Sequence, residues 1–318
     1  MGSDRLWRVA EHKSGPGFQQ AADSALVAVM RRDAVRAADF AARHGVPRWY
    51  SDPRELVNDP EVDAVSVATP PSSHLELALL ACAAGKPTLV EKPMALNHAE
   101  CVRMVEAFRA AGVPLFVAYS RRAQPRFREM KRLVESGAIG APRIALVQLT
   151  APPPRFDPKD LPWRLRPEVS GGGLFADLGC HTLDLLDFIL GPITQVHGCA
   201  ANQGQLYPAE DAVAMSFRFA AGAHGQGAWQ FNTAERRDRI EILGSEGSIT
   251  TSTFGADPLI LRNSEGAETR LDFSTPSPVQ LPLIQTVVDE LLGRGQCPST
   301  GVSGARTAWV MDQVLLDS

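Results

Sequence analysis

No apolar run in the 318-residue chain comes near the roughly 20 residues that a membrane-spanning helix needs, so a membrane protein is not expected. The five cysteines (Cys82, Cys101, Cys180, Cys199, Cys297) contain no CxxC pair and make no even framework. They read as reduced thiols and not as a disulfide scaffold. A basic stripe with interleaved aromatics is also missing, and the net charge of −4 argues against a nucleic-acid partner. Arg121, Arg122, Arg126 and Arg128 do cluster, but Glu129 and Glu135 lie close by at a helix start, so a solvated or interface role is expected for them. The opening MGSDRLWRVAEHKSG has no leader-like apolar core, which makes cytoplasmic residence the expectation. Asp177 and His181 have no third ligand of convincing spacing, so no metal is expected. Internal repeats and low-complexity segments are absent as well.

What is present is an ordinary globular composition, 44% hydrophobic and 21% charged, long enough for two domains. In the first third, apolar runs alternate with helical patterns. Strands are expected at Ala25–Met30, Asp63–Ala68, Thr88–Glu91 and Pro114–Ala118, with helices over 34–43, 72–84 and 98–110 between them. That rhythm predicts an α/β domain with a doubly wound parallel sheet over residues 1–119. Beyond Tyr119 the rhythm changes. A helix at Pro125–Glu135 and the prolines at 152–154 are followed by four to six strands between 195 and 262 without intervening helices. This predicts an α+β domain over 120–318 with an open antiparallel sheet, finished by two helices.

The densest chemistry lies in Gly171–Asp184, GGGLFADLGCHTLD. Asp177, His181 and Asp184 are spaced i, i+4, i+7, which on a regular helix puts all three on one face. The glycines would let a ligand approach and leave the first helical N–H groups free for an anion or oxygen. An Asp and a His one turn apart suit proton transfer.

The strand ends of the first domain carry a second set of candidates, since doubly wound sheets bind ligands there. Arg31 and Arg32 follow the first strand, where an acid would bind a ribose hydroxyl and arginine a 2′-phosphate, favouring NADP over NAD. Thr69-Pro70-Pro71-Ser72-Ser73-His74 makes a tight turn after the second strand, with Ser72 or Ser73 able to cap the next helix. Glu91-Lys92-Pro93 puts a lysine at the third strand tip.

Taken in order with Trp163-Arg164 and the Gly171–Asp184 segment, these pieces resemble the Gfo/Idh/MocA oxidoreductases over nearly the whole chain. The resemblance implies hydride transfer between a nicotinamide and a secondary alcohol of a sugar, cyclitol or related polyol. It makes Lys92, Asp177 and His181 catalytic, His181 as general acid/base and Lys92 as charge stabiliser, with Lys92 as base the alternative. Cofactor contacts are implied for Arg31, Arg32, Thr69, Pro70, Pro71, His74, Glu91, Lys92, Pro93, Trp163 and Arg164. Substrate contacts are implied for Lys92, Tyr119 (equally well a structural tyrosine), Asp177, His181 and Asp184. A homodimer or homotetramer through the antiparallel sheet is implied too.

One departure stands out. The family opens with a strand and a GxGxxG-type turn, whereas here Asp4–Arg8 carries no glycine, and Val9–Pro16 reads as the first helix and the turn after it. Either the chain start lies downstream of a longer protein's, or the cofactor site has been lost, leaving a non-catalytic or cofactor-deficient binding or regulatory protein. The intact Lys92, Asp177 and His181 favour the former. Weak NADP(H) binding and a gap beside the Ala25–Met30 strand are expected.

Overall fold

A computed structural model describes residues 14–315. Its first part alternates helix and strand: α1 (Gly15–Gln20), β1 (Ala28–Met30), α2 (Ala34–His44), β2 (Arg48–Tyr50), α3 (Pro53–Asn58), β3 (Val65–Val67), α4 (His74–Ala83), β4 (Thr88–Val90), α5 (His98–Ala111) and β5 (Leu115–Val117). Local signals set the helix ends. Asp33 accepts from the Arg36 N–H to start α2, and Gly45 ends it in the left-handed region. Asn97 and Gly112 do the same for α5.

All strand pairs in this part are parallel, but the sheet comes in two pieces, β1–β2 and β3–β4–β5. No strand among the described residues joins β1 to β3. The expected gap beside β1 is there: a cavity of about 190 Å³ whose lining includes Ala28, Val29, Val65, Ser66, Val67 and Thr69. Val9–Lys13 of the expected first helix lie outside the described residues. Gly15-Pro16, expected as the turn after it, instead opens α1, where a proline is tolerated because the first-turn N–H groups lack helical partners anyway.

The second part contains α6 (Pro125–Glu135), β6 (Pro142–Thr150), α7 (Pro167–Ser170), α8 (Cys180–Leu190), β7 (Ile193–Ala201), β8 (Ala212–Phe219), β9 (His224–Gln230), β10 (Arg237–Gly244), β11 (Gly247–Thr251), β12 (Leu259–Asn263), β13 (Glu268–Leu271), α9 (Leu281–Leu291) and α10 (Gly301–Leu315). Eight strands form one sheet in the order β13-β12-β11-β10-β6-β9-β8-β7. It is antiparallel at every pairing except β6 with β9, which is parallel. β6 is not among the expected strands, although it sits at the centre. Its Ile144-Ala145-Leu146-Val147 run is apolar on both faces and hides the two-residue period.

One core runs through both parts, from Val67, Val90 and Val117 through Phe108, Phe175 and Leu183 to Val213, Trp229 and Ile240. The chain's end closes it: α10 packs on α5, and the Ser299 hydroxyl donates to the Val117 carbonyl at 2.6 Å. Smaller clusters stand apart from it: one joins Leu89 and Phe116 to Leu283 and Ile284, one holds Leu165, Tyr207 and Ala209, and Phe40, Ala41 and Val46 lie under β1.

Candidate active site

The carboxyl ends of β3 and β4 and the N-terminal end of α8 meet in one cleft. The Lys92 ammonium, just past β4, donates to the Asp177 carboxylate at 2.7 Å and to the Asp177 carbonyl at 2.9 Å. Both side chains are about 15% exposed, so the pair is largely withdrawn from water but still reachable. Burial pulls the lysine pKa down, yet Asp177 and the other negative groups nearby outweigh it and hold the ammonium above its ordinary value. A lysine held charged in this way is an electrostatic partner and a poor base.

Arg164 reaches the other Asp177 oxygen, with Nε 3.1 Å from Oδ2, while its guanidinium lies 4.3 Å from the Trp163 ring centroid. The Trp163-Arg164 pair, implied to contact cofactor, therefore also clamps Asp177. His181 is 9% exposed and sits between two rings, Tyr119 at 6.1 Å and Phe254 at 5.8 Å, both edge-on. These contacts fix the imidazole plane without using its nitrogens.

The local backbone is unusual here. Residues Phe175–Gly179 form a π-helical turn before α8 begins. α8 is buried nearly all round, from Cys180 to Asp187. The three polar residues therefore do not share one face. Asp177 and His181 border the cleft, but Asp184 is completely buried, and Arg122 donates to its carboxylate through Nε at 2.9 Å and Nη2 at 2.8 Å. Asp184 is not placed to touch substrate. The expected solvated role of the arginine cluster likewise fails for Arg122, which is 4% exposed and also binds Asp187, itself paired with Arg306. Isolated in the interior, either carboxylate would be costly, so the ions must occur as a set.

The glycines serve a different purpose from the expected one. Gly171 ends α7 at φ +78°, and a Cβ there would lie 2.3 Å from the Leu96 carbonyl, four residues beyond Lys92. Its bareness lets the segment dock on the strand-end loop that carries the lysine. The Gly173 N–H, expected to be free for a ligand, donates to the Glu210 carboxylate at 2.6 Å. The protein thus fills the helix-start anion position with its own side chain. Burial pushes the Glu210 carboxyl up, against the pull of the backbone N–H groups of Gly173 and Ala176. Sequence spacing offers no signal for Glu210, 37 residues away from Gly173.

His74, Tyr119 and Ser73 turn inward to the protein. His74 is fully buried, with its ring nitrogens 2.8 Å from the Thr69 carbonyl and 3.0 Å from that of Pro93. It ties the Thr69 turn to the Pro93 and Met94 carbonyls just beyond Lys92 and does not reach the cleft. Tyr119 is 1% exposed with a hydroxyl shut off from solvent, so its contribution is the ring that packs on His181. Ser73 is at the start of α4 but does not cap it; its hydroxyl turns back to Thr69 Oγ1 and the Pro70 carbonyl. Pro70 and Pro71 complete this turn, and Pro71 is buried. Glu91 is buried and accepts from the Gln280 amide at 2.6 Å and from the Lys92 N–H.

Arg31 and Arg32 stand at the tip of β1, Arg32 exposed. The neighbouring Asp33 carboxylate is spent on the α2 cap and on Arg36. The donor set at the strand ends thus fits a phosphate-bearing nucleotide: guanidinium groups after β1, the Thr69 turn after β3, Lys92 after β4. The glycine-free Asp4–Arg8 stretch lies outside the described residues. Among the described residues there is no group of three His, Cys, Asp or Glu side chains able to hold a metal ion. No described helix is long and apolar enough to cross a membrane.

Residues 8–119 match the profile of an oxidoreductase family with an NAD-binding Rossmann fold, and residues 127–250 match the GFO/IDH/MocA C-terminal domain. Oxidoreductase P35 of Formosa agariphila is 35% identical over 96% of this chain and 94% of its own. Myo-inositol 2-dehydrogenase of Thermotoga maritima is 32% identical over 77% and 72%. Levoglucosan dehydrogenase, solved with NADH and levoglucosan, superposes with a TM-score of 0.84 over 95% of this chain and 91% of its own, at 23% identity.

Proposed function

Since this chain belongs to the GFO/IDH/MocA oxidoreductase family, we propose that it is a dehydrogenase oxidising a secondary alcohol of a sugar, cyclitol or related polyol, with NADP preferred to NAD. The observation that carries this reading is the Lys92–Asp177 pair, which joins the strand-end half of the cleft to the α8 half at 2.7 Å. Relatives named as inositol and levoglucosan dehydrogenases support the substrate class.

Oxidising an alcohol removes a proton from oxygen and a hydride from carbon. A bound nicotinamide supplies the hydride acceptor. The protein has to handle the proton and the developing alkoxide. His181 takes the hydroxyl proton, its ring plane set by Tyr119 and Phe254. The Lys92 ammonium stabilises the alkoxide charge, the role that its raised pKa suits. Asp177 accepts a hydrogen bond from a substrate hydroxyl and holds Lys92 in place, while Arg164 steadies Asp177. Arg31 and Arg32 recognise the 2′-phosphate, which favours NADP. Thr69, Pro70, Pro71, Glu91, Pro93 and Trp163 shape the cofactor wall. Residues 1–119 supply the cofactor half and 120–318 the substrate half. The free thiols fit cytoplasmic residence. The sheet's outer face, where Gln148, His197, Ala214, Ser216 and Gln226 are exposed, serves as the pairing surface of a dimer or tetramer.

The test is a panel of polyols, sugars and dihydrodiols with NADP⁺ and with NAD⁺. Reduction of NADP⁺ by at least one polyol is expected. If neither cofactor is reduced with any substrate while the protein is folded, the cofactor-deficient binding role replaces this one. Arg31→Ala/Arg32→Ala should narrow the NADP⁺ preference; an unchanged ratio refutes the cofactor assignment.

A further inference from the structure

Arg121 is a buried-side cation that the proposed chemistry leaves unused. It follows β5 by four residues and lies in the short 3₁₀ turn that begins at Ser120, immediately beyond Tyr119. Its Nε donates to the Thr253 carbonyl at 2.9 Å, and its guanidinium stacks on the Phe254 ring at 4.5 Å. The same ring packs against His181. The order in space is therefore guanidinium, phenyl, imidazole.

Among the described residues no carboxylate makes an ion pair with Arg121, and its two terminal nitrogens have no protein acceptor. The nearby acids are committed elsewhere. Both Asp238 oxygens accept from the backbone N–H groups of Thr253, Phe254 and Gly255. Asp184 is engaged by Arg122. Burial lowers the guanidinium pKa to about 10, and the nearby Asp238 and Asp184 do not offset it.

The charge count in the cleft points the same way. Lys92 and Arg164 share the single carboxylate of Asp177. Among the described residues, Arg121 behind the Phe254 ring adds a third cation to this one carboxylate, and the set remains positive even when Glu91 next to Lys92 is included. A planar fork with two free donors is the shape that receives a carboxylate. A neutral polyol would leave this desolvated charge uncompensated.

We propose that Arg121 is a specificity-determining residue that binds a substrate carboxylate, making the substrate a polyhydroxy acid such as a uronic or aldonic acid. The inference rests on the dehydrogenase reading of the same cleft. In it the reacting hydroxyl lies at His181 and Lys92, and the carboxylate lies across the Phe254 ring. The loop carrying Phe254 is held by Asp238 and by Arg126, which donates to the Gly255 and Asp257 carbonyls, so the guanidinium platform is preorganised.

The test uses matched pairs that differ only in the acid group, glucose with glucuronate and galactose with galacturonate, on the full chain. Turnover with NADP⁺ and NAD⁺ and calorimetric binding are both measured, for wild type and for Arg121→Gln and Arg121→Lys. An acid preference of tenfold or more is expected in wild type. Arg121→Gln should weaken the acid by about 10- to 100-fold, the scale of a lost hydrogen bond to a charged group, and by at least tenfold more than the neutral partner. Arg121→Lys keeps the charge but not the fork and should fall between; it also answers the question if the glutamine variant does not fold. Acid binding that depends on Arg121 without any turnover would sink the dehydrogenase reading and leave this one standing. Equal binding of acid and neutral partner in every pair overturns the proposal. So does an equal loss on both in Arg121→Gln, the result expected if Arg121 only pins the loop through Thr253.

Discussion

The two walls of the cleft are held with very different redundancy. On the strand-end side, the sheet consists of three-residue strands in two pieces, and β1 rests on a small core separate from the main one. On the α8 side, the helix is buried all round, and two acids and two arginines interlock behind it. Geometry demanded to a fraction of an ångström is built where packing and ion pairing over-determine it. The wall with fewer constraints is the one that carries the cofactor candidates.

The comparison is broken most directly from the rigid side. Arg122→Met leaves the Asp184 and Asp187 carboxylates short of their buried partner and should cost about 3–5 kcal/mol, read from denaturant unfolding. A loss below about 1 kcal/mol would mean that the cluster is not what stiffens α8. Lys92→Ala and His181→Ala should each lower kcat by about 10²-fold or more with the fold intact. Unchanged kcat in both variants would remove them from the chemistry.

Glu210 offers a finer probe. Glu210→Ala strands the Gly173 N–H and should cost about 1–3 kcal/mol. Because burial raises the Glu210 pKa in the fold, the protonated form favours folding. Its contribution is complete below the ordinary carboxylate range and is lost as pH rises through the raised value. Glu210→Gln, neutral throughout, should therefore gain in Tm relative to wild type as pH increases; a constant difference from pH 4 to 8 would show that the fold does not raise the Glu210 carboxyl. The smallest effect lies on the loose side. Ala28→Val fills part of the cavity beside β1 and should stabilise by about 0.5–2 kcal/mol. Destabilisation there would indicate that the space is already tightly packed.

Much of this was legible in the sequence, and the failures have definite causes. Thr69 and Lys92 are legible because a strand–helix alternation dictates which loops gather at one sheet edge, and Asp177 because the glycine-led Asp-His spacing singles it out. Asp184 leaves the shared face and stands behind the site because the i, i+7 rule assumes a regular helix exposed on one side, whereas the real one begins with a π turn and is surrounded by protein. His74 looked like a ligand contact because nothing in its neighbourhood reveals two backbone carbonyls, one of them 19 residues away. Glu210 and Arg122 act across long sequence separations, which no local spacing encodes. β6 is hidden in the sequence because apolar residues occupy both of its faces at 144–147 although only one face is buried, so the alternation in burial has no counterpart in residue type.

The close approach of Gly171 to the Leu96 carbonyl has a mechanical meaning. At that point the two walls touch backbone to backbone, so a side chain at position 171 would act as a wedge between the lysine-bearing loop and the segment that carries Asp177.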